Sequence, residues 1–304
     1  MLAALANPIL PIFTVLFIGI IFGRKGIFTP PMAKALNAFV YYICQPALIF
    51  LLAARSPLGE YDVAALASYF AVEITLYAVV TLVAVRVFSV SLGEGLVLGM
   101  TTVFVNHLYY VLPIVTLLKG EAAAIPVEGA IFTDLAVLYC GTVFIVELIS
   151  RGGASVSQVP AILARNPALW ALVLGLLANL SGLGLPEGLY TFADFVGRAA
   201  PATLLFVLGI TMANVRLFSL DKLTCLVIAL ALLAQPALMY MLGQVNGADV
   251  QWQATLILLA AGPCGAMPFV IALKYGIPTD RLTRAILAAT VLSLPSLAFL
   301  TGFV

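Results

Sequence analysis

One histidine, thirteen acidic side chains and fourteen lysines and arginines are spread over these 304 residues. Groups able to do chemistry are therefore few, and their positions are informative. Glu73 stands near the middle of an apolar run from 62 to 86, about 16 Å along a helix from its end at a rise of about 1.5 Å per residue. A carboxylate at that depth in a bilayer costs about 2.5–3.5 kcal/mol on insertion scales, so it needs a proton, a partner or a watery cavity. Proton coupling through Glu73 and a salt bridge that braces the fold are both open readings. Asp134 lies in another apolar run, at a shallower position, and ranks second for the same role. His107 is the sole histidine and could carry a proton near neutral pH, or remain a neutral hydrogen-bonding residue. Beside it, Tyr109 and Tyr110 could stack on an apolar substrate body or simply pack. Asp194 and Arg198 stand four apart, the spacing of a helical ion pair. Arg198 also lies three residues before Pro201 and could instead meet a second carboxylate.

Two prolines interrupt apolar runs in related surroundings, NHLYYVLP (106–113) and GPCGAMP (262–268). Proline removes a backbone donor and breaks the helical ladder. In lipid each freed N–H or C=O costs several kcal/mol unless protein or a watery cavity satisfies it, so paired breaks predict a polar cavity. Pro113 and Pro268 suit the first position of a new half-helix. Two half-helix N-termini meeting at mid-membrane make an anion site from backbone alone.

The elements that must hold these residues are membrane helices. With 63% hydrophobic and 9% charged residues, the chain is far from the composition of a soluble domain, which is about one quarter charged. Apolar runs predict spans near 8–23, 34–54, 62–86, 94–118, 127–149, 166–184, 188–212, 222–243, 251–275 and 281–302. The first reads as a retained span rather than a cleaved leader. Arg24, Lys25, Lys34, Arg86, Arg151, Arg165, Arg216, Lys222, Lys274, Arg281 and Arg284 fall in alternate loops, against Arg55, Lys119 and Arg198 on the other side. The positive-inside rule then puts both termini outside the cytoplasm, as expected for a multi-pass protein of the cell (inner) membrane. No basic tract marks a nucleic-acid partner. Cys44, Cys140, Cys225 and Cys264 are isolated within apolar runs and are expected to be buried; no metal or cofactor spacing is present.

The spans repeat. Pro46 and Pro113 map onto Pro201 and Pro268, and Lys119 onto Lys274, at one offset of 155, while Asn7-Pro8 maps onto Asn166-Pro167 at 159. Five spans per repeat force the second copy to insert upside down, an inverted-repeat transporter architecture. The first repeat covers 1–150, a cytoplasmic loop 151–165, and the second repeat 166–304.

Pro263, Gly265, Pro268, Phe269, Val270, Ala272 and Tyr275 reproduce the P-x-G-x-x-P-F-V-x-A-x-x-Y pattern of the auxin efflux carrier family, which the chain resembles over essentially its whole length. That family includes plant PIN carriers and bacterial malonate-type carriers and is related in fold to bile acid:sodium symporters. Asn106 stands seven residues before Pro113, as in the family's N-[ST]-x-x-x-G-[IL]-P, although His107 and Val111 replace the small hydroxyl residue and the glycine. NPAL (166–169) and PATLLFVLG (201–209) extend the likeness, and the short 151–165 loop lacks the long insert of many plant carriers. The resemblance implies crossing spans 4 and 9, a scaffold of spans 1, 2, 6 and 7, and a moving domain of spans 3–5 and 8–10. It also implies elevator-type transport of a carboxylate, commonly by a homodimer. Within that frame Asn106 is the expected substrate contact, joined by His107, Tyr110, Pro113, Gly265, Pro268 and Arg198, with Glu73 and Asp134 as coupling or support residues.

The expected function is secondary transport of a small organic anion, malonate-like dicarboxylates ahead of auxin-like monocarboxylates. Sodium-coupled symport is the alternative, weakened by the lack of an acidic cluster. An anion channel is more remote. An intramembrane enzyme is disfavoured because no HExxH, GxSxG or paired-aspartate motif is present.

Overall fold

Apolar runs wind into helices whose ends are marked by polar residues. The computed structural model describes residues 2–120, 123–150, 164–182, 184–213, 220–244 and 247–300. In chain order the helices are α1 (Leu2–Arg24), α2 (Pro30–Arg55), α3 (Val63–Arg86), α4 (Leu92–Val103), α5 (Leu112–Lys119) and α6 (Ala124–Ser150). They continue with α7 (Pro167–Ser181), α8 (Glu187–Met212), α9 (Lys222–Gly243), α10 (Val250–Ala260), α11 (Met267–Tyr275) and α12 (Asp280–Leu300). Side chains of Asp62, Ser91, Asn166, Asp221 and Asp249 accept from the first free backbone N–H groups of α3, α4, α7, α9 and α10, the usual device at a helix start. Most of the expected 151–165 loop, along with Arg151 and Arg216, lies outside the described residues.

By length and composition α2, α3, α6, α8 and α9 can each cross a bilayer, while α4, α7 and α10 are apolar but shorter. The shortness of α4 and α10 has a local cause, since each ends at a break and is continued by α5 or α11. The surface is apolar as well: Leu177, Leu180, Phe195, Leu233 and Met241 are all more than half exposed. This is tolerable only where lipid replaces water. It also corrects one expectation. Cys44, Cys140 and Cys264 are buried but Cys225 is exposed, because an apolar position on a lipid-facing helix has no need of the protein core.

Close helix contacts rely on glycine. Gly19 of α1 lies directly against Gly209 of α8, leaving no room for a Cβ on either. At Gly175 of α7 a Cβ would stand 2.7 Å from Ala53 Cβ and Phe50 O of α2. Such small-residue contacts let backbones approach where no hydrophobic force drives helices together in lipid. The α2 end is then closed by α7, whose Asn179 donates through Nδ2 to the carbonyls of Ala53, Ala54 and Ser56 at 3.1, 3.1 and 2.8 Å.

Candidate functional site

The two interrupted runs meet. Beyond α4 the chain is extended at Phe104 and Val105, and beyond α10 it unwinds through 261–266. Val105 and Cys264 form an antiparallel bridge, in which Asn106 N donates to Pro263 O at 2.9 Å and Gly265 N to Phe104 O at 2.6 Å. Backbone groups released by one break are therefore satisfied by the other, which is what a break buried away from water requires. Glycine is needed at 265 because a Cβ would stand 3.0 Å from Phe104 O, Val105 O and Phe104 Cδ1.

Pro268 sits in the first turn of α11, as expected. Pro113 does not open a half-helix after the break. Winding resumes six residues earlier, at His107, as a π turn over His107–Val111 that leads into α5. The same arrangement precedes Pro46 (π turn Val40–Cys44) and Pro236 (Leu230–Ala234). A proline ring clashes with the carbonyl four residues back, and one wider turn relieves the clash without ending the helix.

Around the bridge lies a cleft enclosing about 700 Å³, counting its mouth. Asn106, His107 and Gly265 face it from the bridge, and its walls come from Leu48 and Leu52 of α2, Ile131 and Leu135 of α6, and Leu204 and Leu205 of α8. Helical winding begins at this floor twice, at His107 and at Met267, so the positive ends of two helices start there, although His107 N is bonded to Val105 O and Phe269 N to Ala266 O. The Asn106 side chain makes no capping bond. No Lys or Arg is among the described residues of the lining.

Other expected site residues are elsewhere. Arg198 is 78% exposed and bonds through Nε to Asp194 Oδ2 at 2.7 Å; its neighbours Ala200 and Pro201 line the cleft instead. Tyr110 is fully buried, with its hydroxyl 3.0 Å from Ser293 Oγ. Pro268 is buried within α11. The side chains of Tyr109 and Pro113 fall outside the described residues.

Behind the cleft wall Glu73 and Asp134 come together, both fully buried, and their side chains interact. Asp134, expected to rank second, is as completely buried within the protein as Glu73. His107 bridges the two regions. The residue is part of the cleft lining, while its Nδ1 is 3.4 Å from Asp134 Oδ2 and its Nε2 is 3.0 Å from the Tyr69 hydroxyl. Tyr69 was not anticipated, although it stands one helical turn before Glu73 on α3 and so shares its face.

Toward the Pro30 end of α2, the contact between α2, α6 and α11 is polar. Asn37 Nδ2 donates to Val270 O at 3.2 Å, and the Tyr41 and Tyr275 hydroxyls are 3.2 Å apart. Tyr275 donates to Glu147, Gln45 accepts from Tyr139, and Gln45 also reaches Met267 Sδ. Gln45 and this seam were not anticipated either. A glutamine inside an apolar run was the available signal.

Residues 154–301 match a family described as membrane transport protein. The chain is 28% identical over 305 residues to a protein of Rhizobium meliloti (strain 1021) named "Putative malonate transporter", covering 96% of this chain and 93% of that one. It is 25% identical over 295 residues to a protein of Methanothermobacter thermautotrophicus named "Uncharacterized transporter", covering 96% and 95%.

Proposed function

We propose that this chain is a multi-pass membrane transporter of auxin efflux carrier type, a reading supported by its match to the membrane transport protein family over residues 154–301 and by its transporter-named relatives, and that it carries a monocarboxylate with an apolar body by alternating access. The observation that carries the reading is the cleft's division into a polar floor and leucine-rich walls. A single carboxylate can accept from the Asn106 carboxamide and from N–H groups at the starts of the two half-helices. A second carboxylate would lie against Leu48, Leu52 and Leu204 with no cation among the described lining residues, and an uncompensated charge in such surroundings is expensive. This reverses the order expected from the sequence, in which malonate-like substrates came first. Malonate is the second reading, favoured by the name of the Rhizobium relative.

The reading includes ten spans in two inverted repeats, with both termini outside the cytoplasm in a cell membrane. The bridge partners Val105 and Cys264 are 159 residues apart, the same offset that relates Asn7-Pro8 to Asn166-Pro167, which supports the repeat. In this scheme α1, α2, α7 and α8 are the scaffold, and the remaining helices move past them as an elevator. The cleft is lined by Leu48 and Leu52 of α2, whereas the polar seam uses Asn37, Tyr41 and Gln45, so the two lie at different levels of that helix. A homodimer completes the reading, and light scattering of the detergent-solubilised protein tests it.

Uptake into proteoliposomes of aromatic and branched monocarboxylates, with malonate as competitor, is the test of substrate class. Saturable, exchangeable uptake of a monocarboxylate with weak competition by malonate is expected. Uptake of malonate that no monocarboxylate inhibits would overturn it.

A further inference from the structure

We propose that Glu73 and Asp134 form a proton-binding site directly behind the substrate cleft, connected to it by His107, and that each carboxylate crosses the membrane together with one proton. The proposal rests on the reading of the cleft as a carboxylate site, and it names what moves with the substrate.

Three separate parts of the chain converge on the site. Glu73 and Tyr69 come from α3, Asp134 from α6, and His107 from the π turn that follows the break. Their exposures are 0%, 1%, 0% and 3%. None of the four carboxyl oxygens of Glu73 and Asp134 meets a well-aligned hydrogen-bond donor among the described residues. The groups that act on the pair are each other, Tyr69 and His107, and no Lys or Arg is among them. Two carboxylates placed together in the membrane interior, without a cation, repel each other and are both desolvated. One proton removes both penalties, since a protonated carboxyl is a donor and its partner is an acceptor. The described residues gather no group of three or more acidic, histidine or cysteine ligands that could hold a metal ion there.

The position of His107 links the pair to the cleft. With its proton on Nδ1, facing Asp134 Oδ2 at 3.4 Å, the ring accepts at Nε2 from the Tyr69 hydroxyl at 3.0 Å. A carboxylate bound beside Asn106 puts negative charge next to that ring and favours a second proton on the cluster, either on the imidazole or on the remaining carboxylate. In the loaded state one proton has therefore joined the one already shared by the pair. When the carboxylate leaves as an anion, the added proton leaves with it, so net charge moved per cycle is zero.

Proteoliposomes loaded at fixed membrane potential test the coupling. A gradient of one pH unit, acidic on the side of entry, should drive roughly tenfold accumulation of the monocarboxylate for one-to-one coupling, with no response to sodium. In Glu73→Gln and in Asp134→Asn, exchange of internal for external substrate should persist while accumulation falls to the level without a gradient. A merely structural role would lower exchange and accumulation together. Wild-type accumulation that ignores the proton gradient, or follows sodium, overturns the proposal and leaves the substrate reading standing. If no carboxylate binds or moves, the substrate reading fails, and the site is decided by infrared spectroscopy of the purified protein at neutral pH. A carbonyl band of a protonated carboxylic acid that disappears in Glu73→Gln or Asp134→Asn supports the site, and its absence from the wild type overturns it.

Discussion

Replacing Gly265 by alanine tests the bridge that forms the cleft floor. An added Cβ would lie 3.0 Å from Phe104 O, Val105 O and Phe104 Cδ1, whereas ordinary contact begins at 3.4 Å. Two of those atoms are backbone carbonyls, so no side chain can swing aside to make room. The strands must separate by a few tenths of an ångström, which stretches the Gly265 N to Phe104 O bond and its companion from Asn106 N to Pro263 O. Weakening buried hydrogen bonds that water cannot replace costs about 1–3 kcal/mol. Borne by the substrate site, that loss is roughly a 5- to 150-fold fall in affinity. Gly265 is not among the glycines with positive φ, so alanine adds crowding without backbone strain. Gly276 supplies the converse control, with φ +68° and nothing within 4 Å of the added atom. Gly276→Ala should cost about 1–2 kcal/mol in stability and leave affinity unchanged. Equilibrium binding of a labelled monocarboxylate, read beside thermal melting, compares the two. Wild-type affinity in Gly265→Ala, or equal loss in both variants, would refute the reasoning.

Three further outcomes are expected. If Asn106 holds the substrate as proposed, Asn106→Ala removes a charge-assisted hydrogen bond of about 1.5–3 kcal/mol, so binding should weaken roughly 10- to 150-fold while melting is unchanged, because the side chain caps nothing. Asn179→Ala removes the capping donor from the Ala53 and Ala54 carbonyls at the end of α2, while Ser56 O keeps Leu58 N; stability should fall by about 1–3 kcal/mol with substrate affinity intact, as paired melting and binding measurements will show. Burial alone would raise the Asp221 carboxyl, but hydrogen bonds from Thr224 and Arg281 outweigh it and hold it below its ordinary value of 3.8. A depressed carboxyl stabilises the fold above that value and loses its contribution as pH falls through the native one. Asp221→Asn should therefore lower the melting temperature at neutral pH and flatten its decline on acidification below 3.8; a variant with the wild-type pH profile would contradict this.

The helices were legible because each is a long apolar run with a polar cap, and Glu73 was legible because a carboxylate stands out in such a run. The unwinding at GPCGAMP was also visible, as two prolines and two glycines leave few helical alternatives. The first break was misplaced. Proline marked the π turn at 107–111, whereas Phe104–Asn106 carries no breaker of its own and is held open by pairing with 263–265. Local propensity does not report a bond made 159 residues away. The same limit hid the proximity of Glu73, His107 and Asp134, which lie 34 and 27 residues apart in sequence and meet only through the packing of α3 and α6 against the π turn. Arg198 was weighed as a ligand because charge is conspicuous in an apolar chain. Its four-residue spacing from Asp194 carried the simpler answer, and the structure has that pair.

The bridge between Val105 and Cys264 is made of main-chain atoms, so its frame is indifferent to most side chains that decorate it. Gly265, where a Cβ would meet the Phe104 and Val105 carbonyls, is held to one residue type by the facing backbone, and Gly262 by the side chains of Val105 and Val111. The walls at Leu48, Leu135 and Leu204 belong to three other helices and can vary independently of that frame. On the proposed reading, a lineage using this architecture can exchange one cargo for another by altering wall residues while the main-chain frame stays the same. Relatives sharing a quarter of their residues with this chain need not share its cargo.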